Sequence, residues 1–156
     1  MINKRFKFLV IGIVIIVAFF SLKIINDYRE RNLADLIKYK PNDFYSFGFI
    51  HEFINVPEDY AYEWFTKDRE PVDELMEFLG QYDVKKINEK EFNDNRNNKI
   101  EFMFYIYHSK ARPAIVMGHE NHIQIIVGKY YSIINDPIDI EWIEKYNEKH
   151  KKMYGD

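Results

Sequence analysis

Residues 8–22 read FLVIGIVIIVAFFSL, fifteen consecutive residues without a charge. Extended to residues 6–25, the apolar segment covers 20 residues, and Lys7 and Lys23 can extend their amines toward the membrane interface. At 1.5 Å per residue, a helix of this length measures about 30 Å, which is the thickness of the hydrocarbon core of a bilayer. The segment therefore predicts an N-terminal transmembrane helix, and we expect the lipid bilayer to contact residues 6–25.

Two other interpretations of this segment stay open, a cleaved signal peptide and a buried core helix. A signal peptide has a similar basic start and apolar stretch, but cleavage requires small residues at the −3 and −1 positions. The sequence Ala18-Phe19-Phe20 places a bulky Phe where a small residue is needed. The pattern therefore favours a retained anchor.

The orientation of the anchor depends on the basic residues that flank it. Three basic residues precede the segment and three follow it: Lys4, Arg5 and Lys7, then Lys23, Arg29 and Arg31. The positive-inside rule keeps the first group in the cytoplasm, although the asymmetry is small. We expect a single-pass protein of the cell membrane, with a cytoplasmic N-terminus and an extracytoplasmic C-terminal domain.

The composition of the 156 residues limits the classes of function. Hydrophobic residues make up 47% and charged residues 30% of the chain, which is typical of a folded protein. The absence of cysteine from the sequence excludes disulfides, thiolate metal sites and cysteine catalysis. Residues 27–156 contain 18 basic and 25 acidic residues, a formal charge of −7, so we do not expect nucleic acid as a partner.

Three segments are predicted along the chain. Residues 1–26 form the anchor and a short cytoplasmic flank, and residues 42–156 form a soluble α+β domain. Between them, residues 27–41 contain Leu33, Leu36 and Ile37 at helical spacing, which predicts a juxtamembrane helix that ends near Pro41.

The soluble domain alternates between strand patterns and helix patterns. A helix is predicted whose apolar stripe spans residues 72–79, with Pro71 in its first turn and Gly80 as its C-cap. Asp136 and Pro137 predict the N-cap and first residue of a last helix, and residues 88–99 form a polar stretch. Strands are predicted over residues 44–56, 60–65, 100–108, 114–117, 122–127 and 130–134. The predicted fold is a small, mainly antiparallel sheet packed with two helices.

Two features of this layout resemble a known group of proteins. The segment GKYYSI, residues 128–133, follows a predicted hairpin, and an acid-rich helix follows a strand. In this pattern, residues 42–146 resemble small membrane-anchored domains of unknown function from Gram-positive bacteria. The resemblance implies a location in the bacterial cell envelope and no catalytic residues.

The segment His119-Glu120-Asn121-His122 is the part of the sequence that most resembles a metal-binding motif. A zincin helix places two His residues at i and i+4, but here the spacing is i+3 within a predicted hairpin turn. Two histidines supply too few ligands by themselves, so no metal or other cofactor is expected. Residues 93–98 lack the acid at the first position and the Gly at the sixth position of a calcium loop, and Phe104 stands where its twelfth residue, Glu, is needed. Nothing in the sequence sets the separation of a carboxylate pair such as Glu52 and Glu63.

Aromatic residues are unusually abundant, at 17% of the chain. Strand alternation would place Tyr60, Tyr62 and Trp64 on one face of one strand, and Tyr105 and Tyr107 on one face of another. Such a face, if exposed, suits glycans, peptides or a partner protein, and if buried it belongs to the core. The core interpretation is favoured, because one face of a small sheet must be covered.

No catalytic set is recognisable, so we expect a non-enzymatic domain that binds another envelope protein. A ligand or glycan sensor that uses Tyr60, Tyr62 and Trp64 is the alternative. A metal-dependent hydrolase centred on His119 and His122 is a third possibility.

Overall fold

A computed structural model of the chain describes residues 4–51, 62–94, 100–126 and 128–155. The first helix, α1, extends over Lys4–Asp27. Its window Val10–Asp27 has a mean hydropathy of 2.2, and none of it is buried in the fold. The helix is long and apolar enough to cross a membrane, a property that signal sequences share.

The juxtamembrane helix predicted within residues 27–41 is wrong in extent. The chain forms a two-residue strand, β1 (Arg31–Asn32), and then a single helical turn, α2 (Leu33–Leu36). The predicted helix does not form over its full length because the N–H of Leu33 donates to the carbonyl of Tyr82 at 2.9 Å, which places this part of the backbone beside the sheet. The side chain of Asn32 then caps α2 by accepting from the N–H of Ala34.

Among the described residues, eight antiparallel strands form one sheet, which confirms the prediction of a mixed α+β fold with an antiparallel sheet. Their spatial order is β1-β4-β8-β7-β6-β5-β2-β3. After β1, the strands are β2 (Phe44–His51), β3 (Trp64–Thr66), β4 (Asp83–Ile87), β5 (Phe102–His108), β6 (Ala114–Gly118), β7 (His122–Ile125) and β8 (Tyr130–Ile133).

The predicted strands differ from the observed ones mainly at their ends. The predicted strand over residues 44–56 is present as β2, and residues 52–56 lie outside the described residues. β3 begins only at Trp64, while Tyr60 of the predicted second strand lies outside the described residues. β1 and β4 were not predicted, and β4 nevertheless lies inside the sheet, between β1 and β8.

Within the described part of the chain, three further α-helices follow, α3 (Glu70–Leu79), α4 (Glu89–Asp94) and α5 (Ile140–Tyr154). The prediction for α3 is confirmed, with Pro71 in its first turn and Gly80 at its C-cap. α4 forms where a polar stretch was expected, and Phe92, which is 1% exposed, anchors it.

The predicted N-cap of α5, Asp136, is wrong. Asp139 is the N-cap, and its side chain accepts a hydrogen bond from the N–H of Trp142 at 3.0 Å. The helix starts late because the N–H of Ile138 donates to the carbonyl of Glu120 at 2.8 Å. This contact holds the preceding residues beside the hairpin formed by β6 and β7.

The hydrophobic core contains side chains from the strands and from α2, α3 and α5. Its largest fully buried members include Phe47, Phe49, Phe102, Phe104 and Leu75. In β2 and β5, Phe47 pairs with Ile106 and Phe49 pairs with Phe104, so these four side chains lie on the core face of the sheet. The residues between them in sequence lie on the opposite face.

Candidate functional site

Four aromatic side chains meet on the face of the sheet opposite the core, and we name Tyr62, Phe65, Tyr105 and Tyr107 the tyrosine face. The ring of Tyr62 stacks on Phe65 with centroids 5.9 Å apart and meets Tyr105 edge-on at 5.4 Å. The hydroxyl oxygens of Tyr62 and Tyr107 lie 2.5 Å apart and share a hydrogen bond. Phe65 is 41% exposed, and the three tyrosines are half-buried.

Gly48 makes this arrangement possible. It lies between Phe65 of β3 and Tyr105 of β5 in the sheet register. A Cβ atom at this position would come within 3.0 Å of three ring carbons of Tyr62. The missing side chain therefore leaves the space in which the Tyr62 ring lies on the sheet.

The hydroxyls of Tyr62 and Tyr105 stay neutral over the physiological pH range. Burial raises the pKa of Tyr62 well above its ordinary value, and the hydrogen bond with Tyr107 raises it further. Burial and the neighbouring Tyr107 also raise the pKa of Tyr105. The face therefore offers aromatic rings together with uncharged hydroxyl groups, which can both donate and accept hydrogen bonds.

Trp64 does not lie with Tyr62, so the prediction of one shared face for these residues is wrong. Trp64 is 2% exposed and stacks on Phe49 in the core. Its indole N–H donates to Oδ1 of Asn147 in α5 at 2.7 Å. Regular strand alternation begins only at Trp64, so it does not extend back to Tyr62. The ligand-binding role suggested for Tyr60 concerns a residue outside the described ones.

His119 and His122 lie at the two ends of the predicted hairpin turn, with the N–H of His119 donating to the carbonyl of His122 at 2.9 Å. Both imidazoles contact the ring of Phe92 edge-on, with centroids 5.9 and 6.0 Å away. Burial lowers the pKa of His122, while nearby Glu91 opposes the shift. Among the described residues, no three His, Cys, Asp or Glu side chains group into a metal site.

Two carboxylates connect α5 to the rest of the domain. Oε2 of Glu63 accepts hydrogen bonds from Asn147 at 3.0 Å and from Lys151 at 3.1 Å. Oε2 of Glu74 in α3 lies 2.8 Å from Nζ of Lys149 and 2.8 Å from Nε2 of His150. These contacts join α5 to α3 and to the residue preceding β3, which gives both carboxylates a structural role.

The contact between His150 and Glu74 was not predicted from the sequence. His150 is 1% exposed, and since a carboxylate only accepts, its Nε2 carries the hydrogen. The sequence pattern that could have predicted the burial of His150 is the apolar stripe of α5, in which Ile143, Tyr146 and His150 recur at helical spacing.

A polar cavity of about 420 Å³ lies just beyond the C-terminal end of α1. It was not predicted, since its lining comes from the loop after α1 and from the short elements β1 and α2. The lining residues are Arg29, Glu30, Arg31, Asn32, Asp35 and Leu36.

Comparison of the chain with known proteins identifies no related family. No protein-family model matches it, and neither a curated protein nor a solved structure gives a match.

Proposed function

We propose that this chain is a single-pass membrane protein of the bacterial cell envelope, with a cytoplasmic N-terminus and an extracytoplasmic domain. The supporting features are the apolar window of α1 and the three basic residues within the first seven positions. The resemblance of residues 42–146 to anchored envelope domains points the same way. In this proposal α1 stays attached to the domain as an anchor.

The proposed role of the domain is non-enzymatic binding of another envelope protein through the tyrosine face. Helices α3 and α5 contribute side chains to the hydrophobic core, and the tyrosine face lies on the opposite face of the sheet. The proposal depends on one observation, the 41% exposure of Phe65 beside three half-buried tyrosines. Aromatic residues are enriched at protein interfaces because they combine apolar area with hydrogen-bonding groups.

The charge of the domain indicates the kind of partner. With a formal charge of −7 over residues 27–156, it attracts a surface that carries Lys and Arg. Cations also bind the faces of tyrosine rings, as Nζ of Lys67 does 5.8 Å above the ring of Tyr45. The favoured partner is therefore a basic protein surface.

Site-specific photo-crosslinking in cells tests this proposal. A benzophenone side chain at Phe65 should crosslink to a second protein, whereas the same group at Lys145 should not. Lys145 is a matched control because its side chain on α5 is 77% exposed. Equal adducts from both positions, or none from Phe65, would contradict the proposal.

A glycan ligand is the second candidate, favoured by the paired hydroxyls of Tyr62 and Tyr107 beside exposed Phe65. Sugar rings stack on aromatic side chains while hydroxyl groups orient them. Cell-wall fragments should then shift the aromatic NMR signals of Tyr62 and Tyr107 and leave those of buried Phe92 unchanged. An unchanged spectrum with every fragment would eliminate this candidate.

A further inference from the structure

The cavity beside α1 is lined by two cationic and two anionic side chains that form no ion pair with one another. Arg29, Glu30, Arg31 and Asp35 all line it. Within the described part of the chain, none of these four side chains makes an ion pair. A cavity with both signs of charge left unpaired is complementary to a ligand that also carries both signs.

The guanidinium group of Arg31 has N–H groups that make no hydrogen bond to the described residues. One guanidinium nitrogen donates to the carbonyl of Asn26, near the end of α1, at 2.7 Å. Its Nε is buried and, among the described residues, has no hydrogen-bond partner. A phosphate oxygen in the cavity would accept from a guanidinium N–H of Arg31 that makes no hydrogen bond to the described residues, and such charge-assisted hydrogen bonds are stronger than neutral ones.

The base of the cavity is held in place by Asn32. Its side-chain amide donates to the carbonyl of Gly80 at 2.6 Å, and its carbonyl oxygen accepts from the N–H of Ala34. These bonds fix β1 and α2 to the end of α3. The charged residues on either side of Asn32 are therefore carried by a tethered backbone.

The cavity also lies at a defined depth relative to a membrane. The apolar window Val10–Asp27 contains 18 residues, which corresponds to about 27 Å of helix, close to the thickness of a hydrocarbon core. Tyr28, which is 42% exposed, follows at the position where interfacial aromatic residues are common. Arg29 and Glu30 come next, so an inserted α1 places the cavity in the headgroup layer.

We propose that this cavity binds the headgroup of an amine-bearing zwitterionic phospholipid, of the phosphoethanolamine class. The phosphate would contact Arg29 and Arg31, and the ammonium group would contact Glu30 and Asp35. The volume of about 420 Å³ lies within the range of small-molecule sites. This inference rests on the membrane anchoring in the proposed function, and it adds a lipid ligand to it.

The charge pattern distinguishes this headgroup from other lipids. A purely anionic headgroup would satisfy Arg29 and Arg31 but would leave Glu30 and Asp35 beside additional negative charge. A trimethylammonium headgroup has no N–H groups to donate to the two carboxylates. The primary ammonium of phosphoethanolamine satisfies both requirements.

Native mass spectrometry of the full chain in detergent micelles tests the assignment. Phosphatidylethanolamine, phosphatidylglycerol and phosphatidylcholine with identical acyl chains are titrated separately, and the fraction of lipid-bound protein gives each Kd. We expect phosphatidylethanolamine to bind about tenfold more tightly than the other two, a difference typical of one or two charge-assisted contacts. Equal affinity for the three lipids would overturn the proposal.

Two double variants separate the contributions of the two signs of charge. Arg29→Gln with Arg31→Gln should abolish the preference by weakening binding of phosphatidylethanolamine. Glu30→Gln with Asp35→Asn should instead make phosphatidylglycerol the preferred lipid, because only the arginines remain charged. The matched control is Glu141→Gln with Lys145→Gln, a pair on α5 with side chains 84% and 77% exposed. Cavity variants that behave like this control would also overturn the proposal.

Two further measurements identify the source of the ligand and isolate the inference from the proposed function. Glycerophosphoethanolamine, which lacks acyl chains, should compete only at much higher concentration, and equal affinity would contradict a lipid ligand. Flotation of the full chain with vesicles tests the anchor itself. A chain that floats without lipid preference defeats only the headgroup proposal, whereas a chain that does not float defeats the anchoring.

Discussion

Gly48 illustrates how much of the tyrosine face depends on a single residue. The ring of Tyr62 occupies the space where a side chain at this position would lie. Replacing Gly48 by Ala forces the ring to move, and we expect destabilisation of about 1–3 kcal/mol, typical of overpacking. Urea unfolding of the full chain in detergent, followed by near-ultraviolet circular dichroism, measures the change.

Two comparisons attribute this effect to Tyr62. Gly12→Ala is a control, since a Cβ there meets nothing within 4 Å, and it should change stability by less than about 0.5 kcal/mol. In a Tyr62→Ala background, Gly48→Ala should lose most of its effect. An undiminished effect in that background would show that the strain has another origin.

Glu74 makes the stability of the domain depend on pH. Burial alone would raise the pKa of its carboxyl group, but hydrogen bonds from Lys149 and His150 outweigh burial and lower the pKa. A carboxyl with a lowered folded-state pKa stabilises the fold above its unfolded pKa of about 4.3 and ceases to do so as the pH falls through the folded value. We therefore expect Glu74→Gln to lower the free energy of unfolding at pH 7 and to have almost no effect on it near pH 3.

Unfolding midpoints of wild type and Glu74→Gln between pH 7 and pH 3 check this expectation. The difference between the two proteins should shrink as the pH is lowered. Glu141→Gln is a suitable control, because that side chain is 84% exposed and its pair with Lys145 is 3.8 Å long. A constant difference across the pH range would contradict the role assigned to Glu74.

At the scale of elements, α5 depends on a cap that sequence rules assign to the wrong aspartate. Asp139 accepts from the N–H of Trp142, and its own N–H donates to the hydroxyl of Tyr82. Asp139→Ala should destabilise the domain by about 1 kcal/mol, the usual contribution of an N-cap. Asp136→Ala, the change at the predicted cap, should have an effect below about 0.5 kcal/mol.

Thermal or urea unfolding of both aspartate variants measures this difference. Equal destabilisation by the two would contradict the assignment of Asp139 as the cap. The result also bears on the fold, since α5 carries Tyr146, Asn147 and His150 into contact with β2, β3 and α3.

At the scale of the whole molecule, the helix end and the sheet are directly connected. Arg31 donates to the carbonyl of Asn26, and Nζ of Lys86 in β4 lies 3.9 Å from the carboxylate of Asp27. Nζ of Lys86 also lies 5.5 Å from the centre of the Tyr28 ring. These contacts hold one edge of the sheet close to the end of α1.

The proposed extracytoplasmic location of the domain is testable with one introduced thiol. The chain contains no cysteine, so Lys145→Cys, at a position 77% exposed, supplies a single labelling site. In intact cells, a membrane-impermeant maleimide should label this variant, as expected for an extracytoplasmic domain. Labelling only after lysis would place the domain in the cytoplasm, and labelled protein in the medium would indicate a cleaved signal peptide.

Local sequence patterns predicted those elements whose stabilising contacts are close along the chain. α3 follows from its apolar spacing, with Pro71 and Gly80 at its two ends. The hairpin of β6 and β7 follows from two apolar runs around a polar turn. α4 escaped prediction because its short sequence is polar except for buried Phe92.

The amino-acid sequence by itself determined the apolar helix, the acidic balance of residues 27–156 and the α+β character of the domain, because each follows from composition or short-range periodicity. Tertiary structure decided that Trp64 packs against α5 and that Tyr62 pairs with Tyr107, 45 residues away. It also decided where α5 begins and which charges line the cavity at the end of α1. These features depend on contacts between distant segments, and such contacts exist only after the sheet has brought those segments together.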